Sequence, residues 1–167
     1  LNQEGLDLTG KRILVVEDDY LLAKDVCAQL RDLGATVLGP APTPFYANQL
    51  IGPPGKLRVH AAVLDVHLHG TTVFEFADEL LERSVPILFA TAYQRKAIPP
   101  RFNNVPLLEK PLDRDKLVGC VVKLVRTEPT ETKAPAKTSN HESRPLMPDE
   151  LPVHHFARAI LRHWRGY

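Results

Sequence analysis

Cysteine is scarce: Cys27 and Cys120 are the only two in 167 residues, far apart and each among apolar neighbours. That spacing excludes a disulfide scaffold and a clustered zinc site, and it suits buried thiols in a reducing compartment. Net charge is nearly absent, with 21 Lys and Arg against 20 Asp and Glu. No global field exists to hold nucleic acid or an acidic membrane, so partners are chosen by local chemistry. No run reaches the ~18–20 apolar residues of a membrane span, and no basic-then-apolar signal opens the chain, so the expected location is cytoplasmic. The length excludes a (β/α)₈ barrel, and no internal repeat is visible.

Proline, by contrast, is abundant, and its 15 copies are placed unevenly. Several crowd residues 40–54 and several more residues 129–152. Between 127 and 148 the sequence is Thr, Lys, Glu, Ser and Pro with few apolar side chains, too few to offset the entropy of ordering the chain. This stretch reads as a disordered linker. It follows a folded domain over 11–126, itself preceded by a short lead-in over 1–10. Beyond it, Val153, Phe156, Ala157, Ile160, Leu161 and Trp164 recur at helical spacing among His154, His155, Arg158, Arg162 and Arg165. They predict a short amphipathic helix over 149–167 that must hide its apolar face against its own domain, a second copy or a partner.

Within the domain, apolar runs alternate with helical stripes. Ile13–Val16, Thr36–Gly39, Ala61–Leu64, Pro86–Phe89 and Val105–Leu108 read as strands, the last at a sheet edge because Pro106 lacks a donor. Helices are expected over Tyr20–Leu33, with Asp19 as cap, over Phe45–Ile51 and Thr72–Arg83, and from Asp113 as cap onward. Residues 92–104 hold Pro99-Pro100 and no helical stripe, so the fourth helix should be short, distorted or missing. Five βα units of this size give a doubly wound, five-stranded parallel α/β sheet, which binds ligands outside the carboxyl ends of its strands.

Those ends collect Glu17 and Asp18, Asp65, Thr91 and Lys110. Three carboxylates within ~5 Å repel by a few kcal/mol even at an effective dielectric near 20, so they imply raised pKa values or a bound cation. An all-oxygen set suits Mg²⁺. Beside it, Asp65 is suited to in-line attack on phosphorus, Lys110 to phosphate oxygens and Thr91 to donating a hydroxyl, which together describe phosphoryl transfer.

The order Glu17-Asp18, Asp65, Thr91, Lys110-Pro111, each at a strand end, resembles the receiver domain of two-component response regulators. The resemblance implies a flavodoxin-like sheet of order 2-1-3-4-5. It also implies that a histidine kinase phosphorylates Asp65, that Glu17, Asp18, Asp65 and the His67 carbonyl hold Mg²⁺, and that Thr91 and Lys110 contact the phosphoryl group. Such a domain is a signalling phosphoacceptor with slow self-dephosphorylation rather than a metabolic enzyme. Phe89-Ala-Thr-Ala-Tyr93 is similar to the FATGUY variant, which also has a weak fourth helix, although Ala92 stands where that motif usually has Gly. The usual switch aromatic three places before the lysine is Leu107, which leaves Tyr93 as the aromatic able to report on the site. His67 and His69 are expected to line the pocket mouth, His69 replacing the usual proline, with His67 and Tyr93 tuning phosphate lifetime.

Other readings compete. A His-x-His pair beside an aspartate suggests a metal-dependent hydrolase, but the barrel that carries it does not fit in this length. A dehalogenase-type phosphatase wants a second Asp where His67 stands. A phosphorylation-independent interaction module of the same fold is the main alternative. The stretch after residue 126 is too short for a winged-helix output, so the expected downstream partner is a protein, with no direct DNA binding and with self-association through the terminal helix as one route.

Overall fold

The computed structural model describes residues 6–127. Five strands form one parallel sheet: β1 (Arg12–Val16), β2 (Thr36–Ala41), β3 (Ala61–Leu64), β6 (Ile87–Thr91) and β7 (Leu107–Glu109), in the order β2-β1-β3-β6-β7. Between β3 and the third helix lies a small antiparallel hairpin of β4 (His67–Leu68) and β5 (Thr71–Thr72). Counting the sheet strands alone, the order is the flavodoxin-like 2-1-3-4-5. Four helices flank the sheet: α1 (Tyr20–Arg31), α2 (Pro44–Ile51), α3 (Phe74–Glu82) and α4 (Arg114–Arg126).

Alternation along the strands sends side chains into two separate cores. Leu14, Val16, Ala62, Leu64, Ile87 and Phe89 point to the side of α2 and α3. Ile13, Val15, Ala61, Val63, Leu88 and Ala90 point to the side of α1 and α4. Because both faces are covered, the three central strands are apolar along their length except at two ends, where Arg12 opens β1 and Thr91 closes β6, as parallel strands buried on two sides must be. Three of the four helices begin where the sequence supplies a side-chain cap, and α3, which follows Val73, begins without one. Asp19 Oδ1 accepts from Leu21 N and Leu22 N at 2.9 and 3.0 Å, Thr43 Oγ1 from Tyr46 N at 3.2 Å, and Asp113 Oδ1 from Lys116 N at 2.9 Å.

Several boundaries differ from the sequence reading: β1, α2 and the end of α3 by one residue each, the fourth sheet strand, which runs Ile87–Thr91 instead of Pro86–Phe89, and four others with a structural cause or consequence. β2 continues past Gly39 through Pro40 to Ala41. As an edge strand it tolerates a proline, and its register against β1 shifts between Leu14 and Val16. Gly39 has φ 115° there, and a Cβ on it would lie 2.6 Å from the Val15 carbonyl oxygen, so only glycine fits. α1 ends at Arg31 rather than Leu33. α3 starts at Phe74 rather than Thr72, because Thr71 and Thr72 are used by the hairpin. The last strand is Leu107–Glu109 instead of Val105–Leu108, at the sheet edge as expected.

The fourth connecting helix is replaced by two single 3₁₀ turns, Arg95–Ala97 and Pro100–Phe102. This irregular segment is pinned from inside. Ile98 and Phe102 are buried, and the Arg95 guanidinium donates to the carbonyls of Phe102 and Val105 at 3.2 and 2.8 Å. Apart from Thr127, the linker and the amphipathic helix read from the sequence lie outside the described residues.

Candidate functional site

Parallel strands aim their carboxyl ends at one edge, and loops leaving β1, β3, β6 and β7 bring the polar side chains there. Glu17 and Asp18 follow β1, Asp65 follows β3, Thr91 closes β6, and Lys110 follows β7. The Asp65 N–H donates to the Val16 carbonyl and the Lys110 N–H to the Thr91 carbonyl, so ladder-type hydrogen bonds continue into the site itself. Glu17, Asp65 and Thr91 are the charged or hydroxyl-bearing side chains that this arrangement buries, joined only by His60 among the described polar residues.

Lys110 is the hub. Its Nζ lies 2.6 Å from Asp65 Oδ2 and 2.8 Å from Glu17 Oε2, so one ammonium bridges two carboxylates. Burial pushes the Glu17 carboxyl above its usual range, against the pull of the Lys110 charge. Burial works against the charge of Lys110 as well, but the hydrogen bonds and charges of Asp65 and Glu17 outweigh it and hold the amine above its ordinary value. Asp18 completes the acidic group: one oxygen each from Glu17, Asp18 and Asp65 lie within 4.8 Å of one another. This donor set is all oxygen, partly buried and richer in negative charge than one lysine can balance, which fits a hard divalent cation of the Mg²⁺ type.

The rim is built from the hairpin and the end of β6. The His67 N–H donates to Asp65 Oδ1 at 3.3 Å, and the His69 N–H to Asp18 Oδ2 at 2.8 Å. The His67 and Tyr93 rings stack with centroids 5.9 Å apart, and the Tyr93 N–H donates to Thr91 Oγ1 at 3.3 Å. Ala92 is exposed between Thr91 and Tyr93. Leu107 packs at the margin of the α2/α3 core. Sequence reasoning brought these residues to one edge but missed the hairpin that delivers His67 and His69, and missed that Lys110 pairs with Glu17 as well as Asp65. The hairpin left one faint signal, the His69-Gly70 dipeptide, whose residues take φ 47° and 84°.

No family model matches the chain, and no curated protein matches it either. Solved structures do. SdrG from Sphingomonas melonis is 31% identical, aligned over 70% of this chain and 96% of that one at a TM-score of 0.56. A response regulator receiver protein from Sinorhizobium medicae is 19% identical over 70% of this chain and 95% of that one, at 0.59. The response regulator PhyR from Brucella abortus is 23% identical over 73% of this chain at 0.61, and the chain spans about half of its length, 50%.

Proposed function

This chain belongs to the receiver-domain family of response regulators, and from that premise we propose that Asp65 accepts a phosphoryl group from a histidine kinase and that the phosphorylated form signals through protein contacts. The observation that carries the reading is the Lys110 bridge between Asp65 and Glu17, beside Asp18, at the carboxyl edge of the sheet. In the transfer, an Asp65 carboxylate oxygen attacks phosphorus, an O–P bond forms, and the N–P bond of the donor phosphohistidine breaks. The imidazole leaves with the electron pair and takes a proton. Lys110 balances charge on the phosphoryl oxygens, and Thr91 offers its hydroxyl to one of them. Glu17, Asp18, Asp65 and the His67 carbonyl would hold Mg²⁺, which when bound offsets the charge of the incoming phosphoryl group.

His67 and Tyr93 stand at the mouth, where their stacked rings limit how water reaches the acyl phosphate and so set its lifetime. The segment 91–112 is the responsive face. Driving it from 1:99 to 99:1 takes ~5.5 kcal/mol of differential stabilisation, which the new contacts of Thr91 and Lys110 must supply. We place the chain in the FATGUY-like subgroup on Phe89-Ala-Thr-Ala-Tyr93 and the missing helix, and we assign it to the cytoplasm. Among the described residues no helix is long and apolar enough to cross a membrane. SdrG, to which the chain is similar, has a BeF₃-activated conformation, and the same kind of response is expected here.

The test is intact-protein mass after incubation with acetyl phosphate and Mg²⁺. Wild type should gain one phosphoryl group and Asp65→Asn none. No gain in wild type would favour the alternative, a receiver-like module that works without phosphate.

A further inference from the structure

Each of the three carboxylates in the acidic group accepts a backbone N–H. Glu17 Oε1 accepts from Asp19 N at 3.2 Å and Asp65 Oδ1 from His67 N at 3.3 Å, in both cases from two residues further along the same loop. Asp18 draws its donor from elsewhere: Oδ2 accepts from the N–H of His69, 51 residues away in the chain, at 2.8 Å. Lys110 pairs with Glu17 and Asp65 and not with Asp18. Among the described residues, the other contact of the Asp18 carboxylate is the His69 ring, whose Nδ1 lies 3.4 Å from the same oxygen. The third carboxylate is therefore kept beside two of like charge by a residue of the β4–β5 hairpin.

The hairpin makes that N–H available. Its ladder pairs His67 with Thr72 and Leu68 with Thr71, which leaves His69 and Gly70 as the turn, both at positive φ, 47° and 84°, as a two-residue turn of this kind requires. The His69 N–H lies outside the ladder and donates across the loop instead. We propose that this hairpin is a positioning element of the ion site: the His69 backbone N–H, not the His69 ring, holds Asp18 in the group that takes the divalent cation. The inference rests on the reading of the pocket as an ion site. The Asp18 side chain is 23% exposed, so without the donor it is expected to turn away from Glu17 and Asp65 toward solvent, which removes one oxygen from the set. Partners that orient a ligand in this way commonly change metal affinity by about 10–100-fold.

The test separates the amide from the ring. His69→Asn keeps the N–H and accepts the left-handed turn, so it removes only the imidazole. His69→Val also removes the imidazole, but a β-branched residue resists positive φ and draws the N–H off Asp18. Mg²⁺ is titrated into the isotope-labelled full chain, with the amide resonances of Glu17 and Lys110 reporting binding. His69→Asn should bind Mg²⁺ within about twofold of wild type, and His69→Val about tenfold more weakly. In ion-free wild type the His69 amide proton should resonate at low field and exchange slowly, and Asp18→Ala should abolish both properties. Equal losses of affinity in His69→Asn and His69→Val would assign the effect to the ring and overturn the inference. So would undiminished affinity in both, or a His69 amide that Asp18→Ala leaves unchanged. That last measurement needs no hairpin variant, so it decides the matter even where His69→Val fails to fold. If wild type binds Mg²⁺ no more tightly than Asp65→Asn does, the ion-site reading itself falls, and this inference with it.

Discussion

The side of the sheet under α1 and α4 is packed with aliphatic residues: Ile13, Val15 and Leu88 from the strands meet Val26, Leu30, Leu117 and Val121 from the helices. The opposite side carries every phenylalanine of the core. Phe74, Phe89 and Phe102 pack ring on ring, with centroids 5.4–6.2 Å apart, and Phe76 belongs to the same core. The difference follows from what covers each side. Two helices of 12 and 13 residues close the first, and their branched side chains interdigitate with the strands. On the second side no helix joins β6 to β7, and large rings fill space that helix side chains would otherwise occupy. The lesson is that a receiver-type sheet tolerates the loss of a covering helix where bulky side chains and fixed hydrogen bonds replace it.

The largest effect should come from removing that replacement. Phe102→Ala is expected to cost about 3–5 kcal/mol in denaturant unfolding, and Leu117→Ala on the aliphatic side about 2–5 kcal/mol. The two variants differ in kind more than in size. Phe102→Ala should also raise hydrogen exchange locally in 92–104, while Leu117→Ala weakens protection throughout. Equal local exchange in both would show that the irregular segment is not held by its ring.

An intermediate effect belongs to the edge where both cores end. Lys110 is held above its ordinary pKa in the fold, so its share of stability is complete below that ordinary value and is lost as pH rises through the raised one. Lys110→Met should flatten this alkaline loss in Mg²⁺-free buffer, measured as unfolding free energy against pH. It should also lower stability at neutral pH, because Glu17 and Asp65 would then face each other without a cation. The smallest effect is expected at Arg101, whose guanidinium lies 3.1 Å from Asp78 and 4.6 Å from the Phe102 ring centre but is half exposed. Arg101→Ala should change unfolding by no more than about 1 kcal/mol. A larger loss would mean that the aromatic side depends on its surface charges.

Legibility in the sequence tracked how continuous each signal was. Ile13–Val16, Ala61–Leu64 and Pro86–Phe89 announce buried parallel strands because both of their faces are apolar. Asp19 and Asp113 announce helix starts because a carboxylate there has backbone donors to accept from. Pro99-Pro100 announced the missing helix. The hairpin was illegible because its strands are two residues long, below any periodicity, and its turn carries His69 where Asn would have marked it. β2 was cut short at Gly39-Pro40 because such a pair ordinarily ends a strand, and only an edge position excuses it. At the site, strand ends predicted which residues share an edge. They do not predict which carboxylates one lysine bridges, since that depends on side-chain reach across three loops.

The most direct measurement is borohydride trapping of the acyl phosphate after treatment with acetyl phosphate and Mg²⁺, followed by peptide mapping. Reduction converts a phosphorylated aspartate to homoserine and leaves free carboxylates unchanged. The account predicts homoserine at Asp65 alone. Homoserine at Asp18, or phosphate uptake that leaves Asp65 intact, would contradict it.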